Sequence, residues 1–188
     1  LSVLDVMLRD MKPLPDDQLS IKLSAPRRID PPLVADEREM LLAYLEFHRE
    51  TIALKCANIT DGKHSEAMVP PSDLTLHGLV RHLAGIEQWW LHLQFAGEEA
   101  PPLFADPADD FGDVTGDFDE AVALWRAQCE HSREIVAAAT SLDQTGTTIQ
   151  TRQPVSLRRV LLIMICDYAR HCGHADLLRE RIDGSVGW

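Results

Sequence analysis

Basic residues are scarce in this chain: 18 Lys and Arg stand against 30 Asp and Glu, a formal net charge of −12. Phosphate binding needs clustered cations, and only the Arg27-Arg28 and Arg158-Arg159 pairs approach that, so a nucleic-acid partner is not expected. Long apolar runs are also lacking. The longest, Val160 to Cys166, falls far short of the ~20 residues a bilayer span requires, and the N-terminal residues hold no signal-peptide apolar segment. No membrane partner is expected either, and the protein reads as cytoplasmic. The sequence opens on Leu1 rather than Met, so a leader ahead of it would escape this reading. Cysteine is confined to Cys56, Cys129, Cys166 and Cys172, with no CxxC spacing, which points to core or surface thiols rather than a disulfide framework. No Val/Ile-rich alternating segment competes for a sheet.

What remains is helical. A chain of 188 residues, 45% hydrophobic, suffices for one domain with a sizeable core. Residues 1–34 differ from the rest: Pro13, Pro15, Pro26, Pro31 and Pro32 break every apolar stretch, leaving a short helix at Val3–Met11 and then an extended arm that wraps the domain or an oligomeric partner. From residue 35 onward the period becomes 3.6, and four helices are expected near 36–60, 73–96, 117–140 and 156–183. Asp36, Glu37 and Glu39 make an acidic first turn for the first helix, and its inward stripe is Leu41, Leu45, His48, Ile52 and Ile59. Pro70-Pro71-Ser72-Asp73 opens the second helix, whose inward stripe reads Leu79, His82, Ile86, Trp89 and Leu93. The acidic, Pro- and Gly-interrupted stretch 100–116 reads as a long crossover. Phe118, Ala121, Val122, Trp125, Cys129, Val136 and Ala139 line the third helix, and residues 141–154 form a polar loop with a short extended piece at 147–151. Ser156 caps the fourth helix, which Gly184 ends. The architecture expected is all-α, an antiparallel four-helix bundle (residues 35–188) with a proline-rich N-terminal arm (residues 1–34).

The fourth helix carries the chemistry. At about 100° per residue, Asp167, His171 and His174 fall on one stripe, continued by Val160, Ile163 and Met164 before and Leu178 after. Ionisable groups within an apolar seam are costly unless a hydrogen bond, an opposite charge or a metal ion compensates them. His82, on the inward stripe of the second helix with Gly78 and Gly85 leaving open space beside it, is the natural companion. A His from one helix and an Asp-x-x-x-His pair from another supply mixed N/O ligands that suit Zn²⁺, Ni²⁺ or Fe²⁺. Each residue alone has a plainer reading, a core His held by a hydrogen bond, and Asp167 alone reads equally as the acceptor that orients His171 or His174.

His82-Leu83-Ala84-Gly85-Ile86-Glu87-Gln88-Trp89-Trp90, Ser156-Leu157-Arg158 and the run from Arg170-His171-Cys172-Gly173-His174 to Glu180 resemble the DinB/YfiT-like superfamily, in its actinobacterial branch related to the mycothiol-dependent maleylpyruvate isomerases. The resemblance spans about residues 31–185. It implies a four-helix bundle, a homodimer, and a divalent ion held by one His of the second helix and a His-x-x-x-His pair of the last. The maleylpyruvate isomerases place Glu-x-x-x-His there. Asp167-x-x-x-His171 is similar to that carboxylate variant, so the implied ligands are His82, Asp167 and His171. Asp is one methylene shorter than Glu, which leaves His174 as the replacement third ligand.

The resemblance further implies metal-activated thiol chemistry on a small-molecule substrate, as a thiol S-transferase or thiol-dependent isomerase, with mycothiol or a similar low-molecular-weight thiol as cofactor. Two rivals stand beside it: a metal-dependent hydrolase, and a bundle without catalysis that uses the cluster as a structural metal site or an interaction scaffold. His48 and His174 are the candidates for a proton-shuttling or further ligand role, and Arg170, on the flank of the stripe, for meeting an anionic substrate or cofactor. An exposed ion pair is the plainer reading of Arg170. His77, His92 and His131 are expected on the surface, and Trp89 and Trp90 in the core or walling a cavity.

Overall fold

Asp36 accepts a hydrogen bond from the Glu39 amide, and the acidic turn behind it starts α1, Glu37–Cys56. The computed structural model describes residues 28–101, 103, 111, 114 and 116–187; the short helix expected at Val3–Met11 and most of the proline-rich arm lie outside them. α1 stops earlier than expected because the chain turns extended at Ala57 and left-handed at Asn58, so Ile59 packs on the core from a loop. α2 begins at Leu76, where Thr75 accepts from the Gly78 amide, and runs as an α-helix to Glu87 and as a π-helix over Gln88–Phe95. α3 is Phe118–Ala138, capped by Asp117, and α4 is Leu157–Asp183, capped by Ser156 and closed at Gly184 with φ 78°.

These helices form the expected four-helix bundle, and their pairings give its directions. Glu37 meets Arg158 and Lys55 meets Asp176, so α1 and α4 run parallel. His77 packs on Phe118 and His92 on Ser132, so α2 and α3 also run parallel, as the long crossover between them requires. The two pairs are antiparallel to each other: Arg38 donates to the Val136 carbonyl, Glu46 pairs with Arg133 and Glu50 with Arg126. Trp125, Tyr168, Leu45, Ile52 and Leu83 are among the fully buried side chains at the centre. No helix among the described residues is long and apolar enough to cross a membrane.

The buried face of α2 differs from the expected stripe. Its centre is Leu76, Leu79, Val80, Leu83, Ala84, Glu87 and Leu91, which leaves His82, Ile86 and Trp89 only partly buried on its flank. His77 and His92, expected on the surface, are 1% and 3% exposed. α2 is covered by both α3 and α4, so its inward arc is wider than one stripe. Burial of the two rings is tolerated because each polar tip has a partner: His77 Nδ1 lies 2.9 Å from Ser65 Oγ, and His92 Nε2 lies 3.1 Å from Ser132 Oγ.

Between α3 and α4 the expected extended piece is a hairpin shifted in register. β1 (Thr145–Thr147) pairs antiparallel with β2 (Pro154–Ser156), Gly146 opposite Val155, so residues 148–151 belong to the turn rather than a strand. The hairpin lies on the π-helical end of α2, where a Cβ at Gly146 would stand 2.5 Å from the Gln94 carbonyl oxygen and from Phe95 Cα. Backbone cannot retreat as a flexible side chain would. Gly146→Ala is therefore expected to cost about 1–3 kcal/mol, the usual range for overpacking, read as a lowered urea midpoint at unchanged slope.

Candidate metal centre

α2 and α4 carry three donor side chains to one place at the margin of the core. Asp167 Oδ2 lies 3.3 Å from His82 Nε2, and Asp167 Oδ1 lies 3.9 Å from His171 Nε2. The donor atoms of His82, Asp167 and His171 are all within 4.8 Å of one another, close enough to share one ion. The shorter reach of Asp is no obstacle, because antiparallel packing brings its carboxylate to both rings. His82 and Asp167 occupy helix flanks, not the inward centres, which places the group beside the core instead of inside it. Two neutral imidazoles and a carboxylate are a donor set that Zn²⁺, Ni²⁺ and Fe²⁺ accept.

Local electrostatics keep Asp167 and His171 in ligand form. Burial works against the Asp167 carboxylate, but the hydrogen bond from His82 and the fields of His171, His82 and Arg170 outweigh it and hold its pKa below the ordinary range. Burial, and then the neighbouring His82, push His171 down to about 4 against the opposing pull of Asp167, so its imidazole is neutral at pH 7. His174 stands behind it: His174 Nδ1 lies 3.2 Å from His171 Nδ1, the nitrogen turned away from Asp167. This places His174 outside the three-donor group, in the position from which a hydrogen bond fixes a ring's tautomer and rotation. His48 is also outside it, on the α1–α4 side, with Nδ1 3.8 Å from Cys172 Sγ. The Cys172 thiol itself is pushed up to about 12 by burial and is no nucleophile near neutrality.

Two features come from outside the expected stripes. The Phe111 ring, from the crossover, stacks on His82 with centroids 4.2 Å apart and lies 5.6 Å from His171. The space beside Gly78 is therefore taken by the crossover and not left open: a Cβ there would stand 3.2 Å from the Phe111 carbonyl oxygen. On the other side, a groove of about 660 Å³ runs between α2 and α4, with Asp167 in its wall beside Cys166 and Arg170. Ile86, Trp90, Leu162 and Ile163 make its apolar surface. Arg170 is largely exposed at the groove edge, with Nη1 3.5 Å from Asp167 Oδ1, the ion pair that was its plainer reading.

A buried polar network sits next to the donor group and was not anticipated. Arg49 donates twice to Glu87, at 2.8 and 2.6 Å, Tyr168 donates to Glu87 at 2.6 Å, and Trp125 donates to the Tyr168 oxygen at 2.8 Å. All four helices thus meet in one hydrogen-bonded cluster. Burial alone would raise the pKa of Glu87, but Arg49 and the bonds from Tyr168 and Ser132 reverse that and hold it ionised. Arg49 within the apolar stripe of α1, and Glu87 among Ile86 and Trp90, were the signals that could have revealed it.

A four-helix bundle with a long crossover between its second and third helices, and a His-and-carboxylate donor group shared by its second and last, defines a DinB/YfiT-like protein. Residues 40–184 match the model of the mycothiol S-transferase family, MST, and the chain belongs to that family. Among solved structures it is similar to YfiT from Bacillus subtilis, described as a probable metal-dependent hydrolase with an unusual four-helix bundle topology. The TM-score is 0.61 at 16% identity, over 88% of this chain and 100% of that one, a likeness of fold. No curated protein matches the chain.

Proposed function

We propose that this protein is a metal-dependent thiol S-transferase. In this reading His82, Asp167 and His171 hold a divalent ion, and a low-molecular-weight thiol, mycothiol by the family's name, is joined to a small electrophile lying in the α2–α4 groove. The observation that carries it is that Asp167 belongs at once to the donor group and to the groove wall. Structural zinc sites are closed by four protein ligands, whereas catalytic ones keep three and leave a position open. When bound, such an ion lowers the pKa of a coordinating thiol and so supplies thiolate at neutral pH.

The chain's own residues supply the rest. His174 holds the His171 ring with Nε2 turned toward Asp167, so the donor lone pair is presented without a rotamer search. Phe111 covers one face of His82, keeping water from that side. Trp90, Ile86, Leu162 and Ile163 give an apolar bed for the electrophile, and Arg170 at its edge meets an acidic group on either reactant.

The test uses protein made without a His tag, loaded with Zn²⁺ or Ni²⁺, and followed by loss of free thiol in the presence of mycothiol, cysteine or a similar thiol and an alkylating electrophile. Thiol consumption at least tenfold above the uncatalysed rate, abolished by a chelator, is expected. Ester or amide cleavage that needs the metal but no thiol would put a hydrolase in its place.

A further inference from the structure

At the other end of α2 a second group of donors assembles, on the side facing α3. His92 projects from the π-helical segment, His131 from α3, and Glu98 from the turn just beyond the helix end, and their donor atoms also lie within 4.8 Å of one another. We propose that His92, Glu98 and His131 form a second divalent-cation site between the end of α2 and α3, for a borderline ion such as Zn²⁺, Co²⁺ or Ni²⁺. It is separate from the His82 group: ten residues along a helix is about 15 Å, and the two groups face different neighbours.

The geometry around each donor carries the inference. His131 Nε2 lies 2.7 Å from Glu98 Oε1, while its other nitrogen lies 3.2 Å from Glu134 Oε2. A carboxylate behind an imidazole is the arrangement that orients metal-binding histidines and raises their basicity. His92 is backed as well, by the Gln128 backbone carbonyl and by Ser132 Oγ at 3.1 Å. The His92 and His131 rings meet edge to face, with centroids 4.5 Å apart.

Glu98 is held in place by backbone. Gly97, at φ 74°, turns the chain at the end of the helix, and the Glu98 amide donates to the His92 carbonyl at 3.0 Å, with the Glu98 carboxylate within 4.8 Å of the His92 donor nitrogen. A His131–Glu98 ion pair alone would not require a second imidazole buried against the first. One shared dication uses both rings, and with neutral imidazoles the carboxylates of Glu98 and Glu134 balance its charge. Three protein donors leave the remaining position to water.

The measurement is metal stoichiometry by equilibrium dialysis of metal-stripped, untagged protein against micromolar Zn²⁺, with fold checked by circular dichroism. Wild-type protein is expected to take two equivalents, and His131→Gln one. Glu98→Gln, in a surface turn, is expected to give the same loss, which keeps the test open if His131→Gln perturbs folding. Glu134→Gln should retain the ion with affinity lowered about tenfold or more. His171→Ala should leave one equivalent, and that one should disappear when His131→Gln is added, so failure at either centre is seen separately. No equivalent lost on either His131→Gln or Glu98→Gln, whatever the wild-type stoichiometry, overturns the proposal; a single wild-type equivalent that His131→Gln removes and His171→Ala keeps supports it and counts against the His82 centre instead.

Discussion

His171→Ala is expected to weaken Zn²⁺ binding at the His82–Asp167–His171 group by about 100-fold or more and to remove thiol-transfer activity. The ring is nearly buried, on the helix that also supplies Asp167, and no other imidazole can take its place without moving: His174 is engaged behind it and His48 lies on the α1–α4 side. Supporting partners of metal ligands typically contribute 10–100-fold in affinity, so loss of the ligand itself exceeds that range, while His174→Ala should fall inside it. A chromophoric chelator competing for Zn²⁺ reads both variants. Equal losses for the two would mean that His174 is itself a ligand; unchanged affinity in His171→Ala would remove the assignment altogether. At the His171 nitrogen itself, proton competition should set in only well below the range of an ordinary histidine, because burial and the neighbouring His82 push its pKa down to about 4.

Much of this was legible in sequence because the helix ends are chemically marked. Asp36, Asp117, Ser156 and Gly184 stand at observed caps, and the apolar period between them fixes α1, α3 and α4 closely. The convergence of His82 with Asp167 and His171 was likewise foreseeable, since a pair spaced four apart shares a helix flank. The phase of α2 was not. A stripe drawn through His82, Ile86, Trp89 and Leu93 misses the inward face, which already in the α-helical part passes through Leu79, Leu83 and Glu87 beside it, before the helix widens to π geometry at Gln88. Burial of His77 and His92 follows from contact with two neighbouring helices, and the position of Phe111 over His82 from a crossover path, neither of which local periodicity encodes.

Glu87→Gln is expected to cost about 3 kcal/mol of folding stability, the low end of the range for breaking a buried pair, because it leaves the Arg49 guanidinium with only the part-exposed Glu46 as counter-charge. Both side chains are almost fully enclosed, at 2% and 0% exposure, so solvent cannot substitute for the lost carboxylate. By contrast, cutting the exposed Arg158–Glu37 pair should leave the urea midpoint little changed, because solvent and salt already screen it. The double change Arg49→Met with Glu87→Leu removes both charges and should recover most of the loss, since an apolar pair of similar volume is often as stable as a buried ion pair. Urea unfolding of wild type and these variants reads the differences, and a cost below about 1 kcal/mol for Glu87→Gln would sink the argument. The network also bears on the metal centre. Glu87 lies five residues after His82 on α2, and Tyr168 follows Asp167 on α4, so the 2.6 Å bond between them sets the relative height and rotation of the two helices that present the donors. If that bond positions the donors, Glu87→Gln, whose amide oxygen still accepts from Tyr168, should largely keep Zn²⁺ affinity, while the double variant, though restored in stability, should lose it, because the Tyr168 hydroxyl then lacks its acceptor.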